Sequence, residues 1–204
     1  MGYSDRMSNE GTRLGTVLWE RKDRIGLEDC RLDAVAAGFR LSGVALYRGR
    51  GGPTRAVYRI EADGDWHTRE VDLRIEDHTG TLSFCLTADG QGHWMLDGKP
   101  LPAADGCLDV DLAFTPSTNT LAIRRLGLDV GGSAEAQVLW VPVPSLKARV
   151  VTQTYERVDR STYRYRTRYG SYAITTDAEG LVLDYPGGGW HGVSHKGRKH
   201  RAAR

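Results

Sequence analysis

Asp109 and Asp111 stand two apart in a stretch, Cys107 to Phe114, that alternates with period two. Leu108, Val110, Leu112 and Phe114 fall on one face of a strand; Cys107, Asp109, Asp111 and Ala113 fall on the other. Carboxylates so placed lie about 7 Å apart at the usual rise. Such a pair has the chemistry of glycoside hydrolysis or of cation binding. No His or third acid stands close to it in sequence. The simpler expectation gives the pair nearby basic partners, Arg124 and Arg125. Arg suits planar, bidentate contacts, so these two would either neutralise the aspartates or grip a phosphate, sulfate or sugar.

The arginines need an element to carry them. After Phe114 the period changes. Thr115-Pro116 opens the new segment, and Pro costs nothing at a first helical position. Thr115, Ser117 or Thr118 offers a capping hydroxyl, and Gly127 is a natural stop. The pattern predicts one short helix over 116–126, the best case for a helix anywhere in the chain.

Other chemistry-bearing residues are scattered. Tyr163, Tyr165, Thr167 and Tyr169 share one strand face, with Arg164, Arg166 and Arg168 opposite. Aromatics interleaved with Arg characterise single-stranded nucleic-acid platforms, but here the two sets face apart. Tyr inward and Arg outward is the expected arrangement, and nucleic acid is not the expected partner. Trp19, Trp66, Trp94, Trp140 and Trp190 are spread over five segments and read mostly as core. The six His show no metal spacing, and no nucleophile elbow or phosphate loop occurs. Cys30, Cys85 and Cys107 have neither disulfide-framework nor zinc spacing and read as buried thiols. No metal or cofactor is expected.

The elements that position these residues are strands. More than a dozen short alternating segments follow one another, punctuated by turns such as Asp63-Gly64, Asp89-Gly90 and Asp97-Gly98. Close turns demand antiparallel pairing. A sheet so long curls, and a single helix is a sensible filling for it. Gly131 to Ala136 reads as a loop of small residues, and Trp66 as the first residue of a strand.

With 204 residues, 40% hydrophobic and 26% charged, the chain has an ordinary globular composition. No apolar run is long enough for a membrane helix, and the polar start reads as no secretory signal, so the cytoplasm is the expected location. The last eleven residues carry five Lys/Arg and no acid; without them the net charge falls from +2 to −3. The expected organisation is a disordered N-terminus over 1–13, one domain over 14–190 and a basic disordered tail over 191–204.

Several segments together resemble a family. LWE ending at Glu20, YRIEADGDWHTREV from Tyr58, GHWMLDG around Trp94, DVDLAFTPSTNTLAIRRLGLDVG, QTYERV around Tyr155 and GLVLDYPGGGW resemble the bacterial glycolipid-binding family over roughly 14–190. Ala122 departs from that pattern, where Pro would stand. The resemblance implies a mainly β fold, a long antiparallel sheet curled as a spiral β-roll around a single α-helix. It also implies similarity to periplasmic lipoprotein carriers, and a homodimer. No catalytic residues carry over from it.

The expected function is therefore non-catalytic binding of an amphiphile, a glycolipid or related lipid, in a cavity between the curled sheet and the helix. Trp19, Tyr58, Trp94, Tyr155 and Tyr163 are the expected apolar or stacking contacts. Asp111, Asn119, Arg124 and Arg125 are expected at the polar head group. The alternative is an enzyme acting on a sugar-containing substrate through Asp109 and Asp111. A further possibility is a nucleic-acid or anionic-surface binder using Arg164, Arg166, Arg168 and the basic tail.

Overall fold

A computed structural model describes residues 11–49, 51–143, 145 and 147–196. The first limb runs β1 (Thr12–Arg21), β2 (Gly26–Val35), β3 (Gly38–Gly49), β4 (Gly52–Ala62), β5 (Thr68–Asp77), β6 (Gly80–Ala88), β7 (Trp94–Leu96) and β8 (Lys99–Pro100). The second begins with β9 (Asp109–Leu112) and α1 (Asn119–Leu126). It continues through β10 (Ser133–Val141), β11 (Arg149–Arg157), β12 (Thr162–Thr167), β13 (Gly170–Thr176), β14 (Val182–Tyr185) and β15 (Trp190–Lys196). All fifteen strands form one sheet, in the order β8-β7-β6-β5-β4-β3-β2-β1-β15-β14-β13-β12-β11-β10-β9. Two meanders are thus joined where β15 lies antiparallel beside β1.

Strand formation follows from alternation. In β4, Ala56, Tyr58, Ile60 and Ala62 are buried while Arg55, Val57, Arg59 and Glu61 are not. The outer positions carry cross-strand ion pairs, including Arg40–Glu61 at 2.6 Å and Arg59–Glu70 at 2.9 Å. β12 behaves as its pattern predicts, with Tyr163 and Tyr165 inside and Arg164 outside. Tyr169 departs from that face, because β12 ends at Thr167 and the turn leaves the ring 65% exposed.

The sheet curls, without closing, until the chain around β9 lies against β5 and β7. β9 is one end of the strand order, yet the chain around it bonds to the first limb. Thr68 N–H donates to Leu108 O (2.9 Å), Val110 N–H to Thr68 Oγ1 (3.3 Å), and Trp94 Nε1–H to Cys107 O (2.8 Å). α1 lies inside the roll: Thr120, Leu121, Ala122 and Ile123 are consecutive and all buried. Four consecutive positions span a full turn, so this part of the helix is covered on every side.

Several expectations need correction. The sheet is not wholly antiparallel: β9 pairs parallel with β10, and α1 is the crossover that parallel pairing requires. The helix starts at Asn119 rather than 116, because three successive turns precede it, from Pro116 O, Ser117 O and Thr118 O to the N–H three residues on. No hydroxyl caps α1; instead Thr115 Oγ1 accepts the Ser117 N–H within the preceding turn. Gly127 stops it in the left-handed conformation, φ 54°. Ala122 is the fourth helical residue, the first whose N–H can reach a carbonyl four back, and Ala supplies the donor that Pro lacks.

β10 already begins at Ser133, inside the stretch read as a loop. Asp63-Gly64 belongs to a five-residue loop, in which Asp63 Oδ1 accepts the N–H groups of Asp65 and His67, both at 3.0 Å. Trp66 sits in that loop with φ 68°, not in β5. Thr12 and Arg13 belong to β1, and 191–196 belong to β15 rather than to a tail. The remaining terminal expectations, over 1–10 and 197–204, lie outside the described residues.

β15 supplies the pairing on both sides of the junction between the limbs, with β1 and β14. Truncation after Gly189 is therefore expected to abolish cooperative thermal unfolding, whereas truncation after Lys196 leaves the melting temperature within about 2 °C. Circular dichroism melts of the two proteins check this.

Candidate functional site

The space between α1 and the sheet is polar at its centre. Three carboxylates converge on the segment from β9 to α1, each from a different structural cause. Asp109 in β9 is fully buried, and Arg125 in the last turn of α1 reaches back to it. Arg125 Nε–H lies 3.0 Å from both carboxylate oxygens, and Nη2 is 2.6 Å from Oδ2, a bidentate pair. Burial raises the Asp109 carboxyl above its usual range, and the guanidinium offsets part of that rise.

Asp111, two residues on, does not meet an arginine. Its Oδ2 accepts from Gln153 Nε2 of β11 at 2.5 Å. The Tyr155 hydroxyl lies 2.9 Å from Gln153 Oε1 and 2.8 Å from Asn119 Oδ1, so its one proton serves one oxygen at a time. Asn119 Nδ2 donates to Pro116 O. Desolvation pushes Asp111 up to about 6, against the smaller opposing effect of its hydrogen bonds.

Glu28 of β2 is the third carboxylate and is fully buried. Its Oε1 accepts from Tyr58 Oη–H and Thr115 Oγ1–H, both at 2.6 Å. Among the described residues its Oε2 has no hydrogen-bond partner, nor has the buried Thr120 hydroxyl. The buried Thr118 hydroxyl faces Asp111, outside normal hydrogen-bond geometry. Burial pushes the Glu28 carboxyl up to about 7, with the Thr115 and Tyr58 hydroxyls pulling the other way.

Of the residues expected at a ligand, Asp111, Asn119 and Tyr155 form one hydrogen-bonded group, with Tyr58 and Arg125 in the neighbouring clusters. The other four lie elsewhere. Trp19 is fully buried and its indole N–H donates to Val182 O at 2.9 Å; Trp94 is tied to Cys107 O. Tyr163 is buried under Arg157, whose guanidinium carbon lies 5.8 Å from the ring centre. Arg124 is exposed and stands 5.0 Å over Trp66, whose other ring contact is a 3.8 Å stack with Phe39. Only one of the two expected Asp–Arg pairs therefore forms, Asp109 with Arg125.

Glu28, Thr115, Ser117, Thr120 and Gln153 were not anticipated. Glu28 carried a signal, since it shares the inward phase of Cys30 and Leu32 along β2. The charged stretch from Arg21 to Glu28 reads as a loop, which hides that phase; the structure gives Arg21 to β1 and 26–28 to β2. Cys30 and Cys107 are fully buried, and burial raises both thiols. Glu70, Asp72 and Cys85 bring possible ligand atoms within 4.8 Å of one another. Arg59 already pairs with both of those carboxylates, which makes the group part of the outer ion-pair network.

A model of the family described as "Putative glycolipid-binding" matches residues 16–189. Among solved structures, the chain is similar to a DUF1089 family protein from Pseudomonas aeruginosa, solved at 1.80 Å, with 40% identity and a TM-score of 0.73. That similarity covers 79% of this chain and 89% of the other. No curated protein matches this chain.

The buried acids set a pH dependence. Folded Glu28 keeps its proton up to about pH 7, whereas the ordinary value is 4.5. Between those values the folded state binds more protons, so stability falls as pH rises. The contribution is complete below the ordinary value and gone above about 7; a fully buried shift of this size corresponds to roughly 3 kcal/mol. Asp111 acts with the same sign up to about 6. Urea unfolding from pH 5 to 8 should show declining stability, and Glu28→Gln should flatten the decline.

Proposed function

The chain belongs to the "Putative glycolipid-binding" family, and from that premise we propose that it binds an amphiphilic, glycolipid-like ligand without transforming it. The observation that carries this reading is the polar centre of the roll. Among the described residues, Glu28 Oε2 and the Thr120 hydroxyl are buried without hydrogen-bond partners, and Thr120 shares the β9–α1 segment with Asp111 and Asn119 of the Asp111–Gln153–Tyr155–Asn119 group. Burying unpaired polar groups costs about 1–3 kcal/mol each, so a core serving stability alone would fill with apolar side chains. A sugar's hydroxyls both donate and accept, which is the complement these groups lack. Aromatic walls at Tyr58, Tyr155 and Tyr165 suit its apolar faces. No helix among the described residues is long and apolar enough to cross a membrane.

Homodimer formation is part of the proposal. Leu18, Leu27, Leu46 and Val193 are each more than half exposed on the outer face. The register sets Leu18 opposite Val193 and Leu27 opposite Leu46, making an oblique apolar stripe over four adjacent strands. Such a stripe is matched by a second copy of itself.

One observation favours a second reading. Carboxyls pushed up to about 6 and about 7, at Asp111 and Glu28, hold protons near neutrality as a general acid would. An enzyme acting on a sugar-containing substrate through Asp109 and Asp111 would use such a group, although Asp109 is occupied by Arg125.

Native mass spectrometry of freshly purified protein should show a co-purified lipid of defined mass, and Tyr155→Phe should reduce its occupancy. A protein free of lipid that also fails to take up octyl glucoside would refute the binding reading. Glycosidase turnover that disappears in Asp111→Asn, with the melt unchanged, would select the enzyme. For the dimer, Leu18→Asp together with Leu46→Asp should halve the mass seen by light scattering.

A further inference from the structure

We propose that an exterior groove at the end of β10–β12 is a second binding site, for a phosphate or phosphomonoester group attached to an apolar body. The groove encloses about 560 Å³ between Trp140, the start of β11 and the turn after β12, within the roughly 300–1,000 Å³ usual for ligand sites. It is separate from the polar centre of the roll; none of the residues expected at the glycolipid line it, whereas Arg166 and Arg168, expected at an anionic surface, do.

Its charge is unbalanced. Arg149, Arg166 and Arg168 all line it. Glu156 pairs with Arg166 (3.1 Å) but is shared with Arg164 (2.7 Å). Arg149 and Arg168 have no carboxylate partner among the described residues. Both instead donate to one atom, the Tyr169 hydroxyl oxygen, Arg149 at 3.1 Å. Two guanidiniums drawn to one neutral oxygen repel each other, and a bound anion removes that repulsion. The same field lowers the Tyr169 phenol below its usual value, the Arg168 hydrogen bond acting most strongly.

Both guanidiniums are also held by aromatic contacts. Arg149 stands 4.5 Å over Trp140 and Arg168 4.6 Å over Tyr169. Stacking uses the planar face of a guanidinium and leaves edge N–H donors for a fork on phosphate oxygens. Beside them Trp140 and Val150 supply apolar surface for the body of the ligand. That body is either a lipid chain or the carbon skeleton of a soluble phosphomonoester.

Isothermal titration of the full chain with octyl phosphate, glycerol phosphate and octyl glucoside tests the site. Octyl phosphate is expected to bind, with affinity falling at least about tenfold in Arg149→Gln/Arg168→Gln and unchanged in Arg74→Gln. Tighter binding of octyl phosphate than of glycerol phosphate identifies a lipid phosphate; equal binding identifies a soluble one. Should the double variant misfold, wild-type affinity that falls severalfold between ~50 and ~200 mM salt carries the same support. Silence from both phosphates, equal octyl phosphate affinity in a folded double variant, or salt-independent binding overturns the proposal. Octyl glucoside uptake by the double variant reports on the interior site alone, so the two readings fail separately.

Discussion

A fifteen-stranded sheet has two open edges, and this one curls until the chain at one edge, around β9, lies against β5. β9 pairs on one side with β10 only, and buried backbone groups on the other side must find partners or cost free energy. Thr68 meets part of that demand from both its N–H and its hydroxyl, and it is itself fully buried. This contact makes the sheet a roll. It also fixes where Asp109 and Asp111 project and where α1 begins, because the chain leaves β9 directly into the turns before the helix. The parallel pairing of β9 with β10 follows from the same geometry, since α1 carries the chain back along the strand's length before β10 starts.

Once the roll is formed, its centre must accommodate polar atoms on three elements at once. Asp109 takes the strongest available partner, a bidentate guanidinium, because Arg125 lies in the helix's last turn and can reach it. Asp111, on the next inward step, is met by an amide, and Glu28 by two hydroxyls. The gradient from charged to neutral partners separates the three acids. A buried carboxylate with neutral partners favours its protonated form, so the interior grows more proton-binding from Asp109 toward Glu28. Near neutral pH the interior therefore holds one paired charge and two groups poised between acid and carboxylate.

The outer surface divides the opposite work. Many outward charges of the first limb meet an opposite charge on the same or a neighbouring strand, as around Arg59 and Arg40. Leu18, Leu27, Leu46 and Val193 expose apolar surface on four adjacent strands, and Arg149 and Arg168 meet at the Tyr169 hydroxyl in the turn after β12. Tyr169 marks the transition: the ring that strand periodicity would bury comes out because β12 stops two residues earlier. Buried carboxylates inside the roll and paired guanidiniums outside it are thus separate, chemically distinct regions of one molecule.

What the sequence determined by itself was local. Alternation placed Tyr58 and Ile60 inside and Arg59 and Glu61 outside, and the period change after Phe114 located the helix to within three residues. Those features depend on neighbours one to four positions away, which periodicity records. Local pattern left Glu28 hidden, because its inward phase is interrupted by the charged turn before it. Nor could it tell that β9 would lie parallel to β10, that 191–196 would pair with β1, or that Asp111 would meet Gln153 rather than Arg124. Each of those depends on partners 29 to 181 residues apart brought together by the curl of the sheet. Tertiary structure decided them, because the choice of partner for a buried polar group is set by which strand the roll delivers opposite it.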